Sequence, residues 1–158
     1  MTGEAARRIR DDIERSWRPF RDLAESLRPR LDENTPAGWT AKEMLSTIAF
    51  WDEAAVGWIT IGLRGETLPD GWAFGSGYVP ADSWPRDYEH NAREAEWARD
   101  RAVDEVLLRC DAAHAGLLEI IETVTDEEAA ANAAYFPGLG GHYRDHMPEL
   151  EALAGRQE

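Results

Sequence analysis

Seven apolar residues near the start, Ile9, Ile13, Trp17, Phe20, Ala24, Leu27 and Leu31, follow one another at spacings of four, four, three, four, three and four. Residues spaced this way share one side of an α-helix, whose period is about 3.6 residues. Arginine, aspartate and glutamate fill the other side. A helix with one apolar stripe must bury it against further apolar surface, and the rest of the chain offers more helices. No segment has the alternating pattern and turn chemistry of a strand. An all-helical fold follows, most simply an up-and-down four-helix bundle with one long crossover loop and a short extra helix.

The punctuation sets the element boundaries. Pro19 inside the first stripe predicts a kink or a break, and Pro29 predicts the end of the regular part. Pro36 and Gly38 interrupt the chain; Thr40 with Glu43 then fits a capping box, opening a helix from about residue 41 to about residue 63. Leu45, Ile48, Trp51 or Asp52, Ala55 and Ile59 are its inward or half-inward positions. Residues 64–85, "RGETLPDGWAFGSGYVPADSWP", are rich in glycine, proline and aromatics and have no period. So long a connection is either a crossover strap between non-adjacent helices or a lid whose Trp72, Phe74 and Tyr78 touch a ligand.

From Arg86 the helical pattern returns through Tyr88, Ala92, Ala95, Arg99, Val103, Val106, Cys110, Ala113, Leu117 and Ile121, with a bend or break expected near "WARDRAV". Thr125 and Glu128 form a second capping box before a short alanine-rich helix. "YFPGLGG" is read as a turn into a closing helix. Neither an internal repeat nor a linker divides the chain, so residues 1–158 are read as a single domain.

Composition narrows the partners. The chain carries 17 lysine plus arginine against 31 aspartate plus glutamate, a formal charge of −14. Such a balance repels phosphate backbones and anionic headgroups, so neither nucleic acid nor a membrane is an expected partner. No apolar run approaches a membrane span, and the first residues lack the apolar core of a secretory signal. The lone cysteine, Cys110, suits a reducing cytoplasm and reads as a small buried hydrophobe. Seven tryptophans imply either a tightly anchored core or a cavity for a flat apolar ligand. An exposed apolar helix face would support a homodimer.

The chemistry-bearing motif is "GGHYRDHMPELE", which puts His142 and His146 one helical turn apart on one face. Paired imidazoles are half of a zinc or nickel site. A catalytic zinc needs about three protein ligands and an open position. "HYRDH" also lacks the glutamate of the zinc-protease motif HExxH. The plainer alternative is two ordinary histidines, one buried and one solvated; His90 and His114 read as ordinary half-exposed residues. On the second helix, Thr47, Trp51, Ala54 and Trp58 share a face. This is either a wall for a flat ligand or plain core filling.

"GWTAKEMLSTIAFWDEA" and "GHYRDHMPEL" together resemble the DinB/YfiT-like superfamily of metal-dependent four-helix proteins, over nearly the whole chain in order and length. "YEHNAREAE", with Asn91, is similar to the start of the third helix in the ClbS-like group. The resemblance implies that a histidine of the second helix joins the closing pair in binding a divalent metal. The matching position here is Thr47, so the implied zinc or nickel site, His142 with His146, is degenerate and its metal weakly held or absent. Three functions then compete. The first is binding or modification of a small, reactive or toxic metabolite in a pocket beside the histidines, lined by Thr47, Trp51, Trp58, Trp72 and Asn91. The second is a metal-dependent transferase or isomerase using mycothiol or bacillithiol. The third is a structural, dimeric bundle without chemistry. The lost ligand favours the first.

Overall fold

The computed structural model describes residues 3–79 and 87–156. Among these, the regular structure is helical: α1 (Glu4–Ser26), α2 (Ala41–Gly57), α3 (Asp87–Arg99), α4 (Val103–Ile121), α5 (Asp126–Ala131) and α6 (Pro137–Ala154). A 3-10 turn spans Arg28–Arg30, a π-helical segment spans Trp58–Leu63, and an isolated strand-like bridge pairs Asn34 with Thr40. No described helix is long and apolar enough to cross a membrane. The end of the 64–85 connection, the expected helix start at Arg86 and the side chain of Tyr88 lie outside the described residues.

Two compact units are present, one of residues 1–41 with 118–158 and one of residues 42–117. In the first, α1 packs on α6 and α5. Its predicted stripe is inward: Ile13, Trp17, Phe20, Ala24, Leu27 and Leu31 are buried, and Ile9 is half-buried. Tyr143 of α6, fully buried, lies 5.0 Å from Trp17 and 5.8 Å from Phe20 between ring centroids. Pro19 does not break α1. It sits on the exposed side, where water can take the carbonyl that loses its helical partner. The Thr125–Glu128 capping box forms as read, both bonds present, and opens α5. Asp126 beside it accepts from the Ala5 N–H at 2.9 Å, placing a carboxylate at the positive end of α1.

One expectation for this unit is corrected. "PGLGG" is not a turn but the first part of α6, with Pro137 at the start of the helix. Gly140 explains why glycine is used there. A Cβ on it would stand 2.9 Å from Asp12 Oδ2 and 3.2 Å from the Asp12 carbonyl oxygen, so α1 and α6 approach more closely than a side chain allows.

The second unit holds the remainder of α2, the π-helical segment, the connection as far as residue 79, α3 and the start of α4. Leu45, Ile48, Ala55 and Ile59 are buried as predicted; Asp52 is buried with them and Trp51 is half-buried. The predicted helix to residue 63 changes character after Gly57. Here the chain carries β-branched Ile59, Thr60 and Ile61, and Thr60 Oγ1 donates back to the Val56 carbonyl at 2.8 Å. Both features disfavour a tight α ladder, and Arg64 N–H bonds five residues back to Ile59 O. The expected break near "WARDRAV" falls between Arg99 and Val103. Lys42, buried, holds the end of α3 there by donating to the carbonyls of Arg99 at 3.3 Å and Arg101 at 2.8 Å.

Candidate functional site

The 3.6-residue period of α6 brings the His142 and His146 rings to 5.1 Å between centroids. Both are half-buried. His146 Nδ1 lies 2.9 Å from Glu149 Oε1, and the second carboxylate oxygen, Oε2, accepts from the Trp39 indole N–H at 3.3 Å. A carboxylate oxygen only accepts, so Nδ1 carries the donated proton, and in the neutral ring Nε2 keeps its lone pair. The chain Trp39–Glu149–His146 therefore fixes the ring and its tautomer, as the carboxylate partner of a working histidine does. Trp39 itself is set by the loop before α2, where Thr35 N–H and Oγ1–H both donate to the Trp39 carbonyl at 2.7 and 3.0 Å.

His142 is governed by burial. Burial pushes its pKa down from 6.5 to about 4, the neighbouring His146 adds to this, and Asp145 opposes it. It is a neutral imidazole at ordinary pH. Arg144, between the two histidines in sequence, engages Ser16 and Asp12 of α1.

The donor set meets only part of what the divalent metal implied by the resemblance would need. His146 has Nδ1 anchored by Glu149, which leaves Nε2 as its coordinating nitrogen, and His142 is neutral and able to coordinate. Thr47 is a poor third donor, because its hydroxyl is buried and donates to the Met44 carbonyl of its own helix at 2.7 Å. Among the described residues no group of three or more His, Cys, Asp or Glu side chains is disposed to hold a metal ion. Two imidazoles fall short of the three protein ligands of a catalytic zinc.

The other pocket residues read from the sequence lie in residues 42–117. Trp51 and Asn91 come together, the indole N–H donating to Asn91 Oδ1 at 2.8 Å. Trp51, Trp72 and Tyr78 pack around a buried cluster of Phe50, Ala54 and Phe74. Trp58 opens the π-helical segment and is half-buried, its ring so close to Gly62 that a Cβ there would meet it at 3.0 Å. His90 and His114 are buried, against the half-exposure expected of them, and His90 stacks on Phe50 at 5.1 Å. Helical spacing alone could not show that the aromatic connection would fold back over this face.

Two features escaped the sequence reading. Glu149 was legible, lying three residues beyond His146, a spacing at which helical side chains meet. Trp39, 110 residues away from Glu149, was not. Neither was the buried ion cluster around Arg109, whose guanidinium binds Glu53 at 2.5 Å and Glu94 at 2.6 Å. No family model, curated protein or solved structure matches the chain.

Proposed function

We propose that this chain is a four-helix-bundle protein of the DinB/YfiT-like kind whose metal site has degenerated, and that it binds or modifies a small metabolite at His142 and His146. The observation that carries this reading is the Trp39–Glu149–His146 hydrogen-bonded chain. A helix surface needs no second carboxylate contact from a distant indole merely to be soluble, whereas a proton-accepting or ligand-orienting histidine needs its ring fixed. His146 Nε2 is the working atom: it accepts a hydrogen bond or a proton from the ligand. Glu149 positions the ring, Trp39 positions Glu149, and neutral His142 adds a second imidazole without a competing charge.

The test is a small-metabolite screen read by the side-chain nitrogen resonances of the two histidines. A binding metabolite should shift His146 Nε2 in the native protein, and Glu149→Gln should weaken its binding about tenfold, the effect of losing one charge-assisted hydrogen bond. Binders that leave both imidazoles unmoved would refute the reading. The family resemblance has its own check. Thr47→His should tighten Ni²⁺ binding measured by calorimetry, and full stoichiometric metal in the unmodified protein would contradict the degenerate site.

A further inference from the structure

A groove of about 670 Å³ lies between the first turns of α1, the short helix α5 and the start of α6. Its apolar lining is Ala5, Ile9, Ala129, Ala130, Ala133 and Phe136. Most of these are alanines, whose methyls stop short of closing the space between the helices. The bond that ties α5 to α1, from the Ala5 N–H to Asp126 Oδ1, stands at the edge of the groove and leaves its floor open. A mostly apolar hollow of this volume with a few polar groups at its margin has the make-up of a small-molecule site.

The polar groups on the margin are Glu4, Arg8, Asp12, Asp126 and Arg144, and they are not equivalent. Glu4 is engaged by Arg8 at 2.9 Å in a pair swept by water. Asp126 accepts from the α1 backbone, and Asp12 faces two guanidiniums, Arg144 at 3.6 Å and Arg15 at 3.7 Å. Each carboxylate therefore has a donor or cation of its own. Arg144 has capacity to spare. It reaches both Ser16 and Asp12 through Nη1, and among the described residues its Nε and Nη2 donate to none. Those two nitrogens form the side of a guanidinium that grips a carboxylate with two parallel N–H bonds. The Arg144 side chain is 51% exposed, so this edge is accessible. Glycine makes room for the arm: a Cβ on Gly140 would stand 3.3 Å from Nη1, and one on Gly141 3.6 Å from Nη2.

We propose that this groove binds a small amphipathic monocarboxylate, its apolar body on the alanine floor and its carboxylate on the Nε–Nη2 edge of Arg144. The site draws on neither His142 nor His146. The guanidinium sets the head-group. A carboxylate offers two acceptor oxygens to two parallel donors, an alcohol offers one oxygen, and an ammonium brings a like charge and no acceptor. The net charge of −14 repels anions at long range. At about 0.15 M salt such fields are screened beyond about 8 Å, and the guanidinium in contact decides.

The probes are octanoate, octan-1-ol and octylammonium, titrated into the full-length protein at about 0.15 M salt and followed by the methyl resonances of Ala129, Ala130 and Ala133. Octanoate should shift these methyls and bind about tenfold or more tightly than the alcohol, the effect of losing a charge-assisted bidentate contact, with octylammonium weakest. From hexanoate to decanoate the affinity should rise about threefold per methylene, as burial of the chain requires. Arg144→Lys keeps the charge and loses the parallel donors, and should weaken octanoate about tenfold while leaving octan-1-ol unchanged. Ala130→Leu, which fills the groove from an exposed position on α5, should abolish binding of both. Alanine methyls unmoved by octanoate would overturn the proposal. So would octylammonium binding as tightly, which would assign the margin to its carboxylates, or octanoate binding that survives Ala130→Leu. If Arg144→Lys does not fold, the head-group series and Ala130→Leu still decide.

Discussion

At Gly140 a single hydrogen atom decides how closely two helices can approach. Alanine normally improves a helix interior by about 1 kcal/mol over glycine. At Gly140 its methyl would press on the Asp12 backbone carbonyl at 3.2 Å, which cannot swing away as a side chain could. Overpacking of this kind costs about 1–3 kcal/mol, so Gly140→Ala should lower the melting temperature. Gly116 in α4 meets nothing within 4 Å of a built Cβ, and Gly116→Ala should raise it. Equal signs for the two would refute the close approach of α1 and α6. His142 gives the residue-scale pH dependence. Its folded pKa is depressed to about 4 from 6.5, so between these values the unfolded chain binds the extra proton. The stability from keeping it neutral is complete above about pH 6.5 and is lost as pH falls toward 4. A nuclear magnetic resonance titration should place its midpoint near 4, and His142→Gln should flatten denaturation midpoints across that window.

Side chains close two of the helix ends in this chain, Thr125 at the start of α5 and Lys42 at the end of α3. The end of α3 is closed by Lys42, the only lysine in the sequence, through the carbonyls of Arg99 and Arg101. Lys42→Met keeps the aliphatic stem and removes the donors. It should cost about 1–3 kcal/mol, the penalty for leaving buried polar groups unsatisfied, with exchange at residues 99–102 accelerated first. A loss confined to other elements would show that the break is closed by something else. The π-helical segment after Gly57 makes the same point from sequence: β-branched residues with a back-bonding threonine loosen a helix that periodicity alone would continue to Leu63. Element existence was readable because apolar spacing repeats over many turns. That the glycines of "PGLGG" serve a helix packed closely on Asp12, and not a turn, is a matter of contacts far away in the chain.

Across the whole molecule the charge of −14 works against compactness. Many arginines are already paired with glutamates three or four residues away on exposed helix faces, as Arg8 with Glu4 and Arg28 with Glu25. Exposed pairs of this sort add little to stability, so screening them loses little, while screening the surplus acid gains more. Raising ionic strength from ~0.01 M to ~0.15 M shortens the Debye length from ~30 Å to ~8 Å. The melting temperature should rise by a few degrees, roughly 1 kcal/mol of stabilisation. A fall would mean that the ion pairs outweigh the repulsion.

The α1 stripe, the Thr125 capping box, the break after Arg99 and the four-residue histidine spacing could all be read from the sequence. Each rests on interactions within a few residues along one helix, where geometry follows from period and side-chain type. What the tertiary structure decided is every pairing between distant segments. Trp39 meets Glu149, Arg109 gathers two glutamates, and Gly75 settles on that cluster with Phe74 beside it. Those contacts require loops to close over tens of residues, and no local pattern records which partner a buried polar group will find.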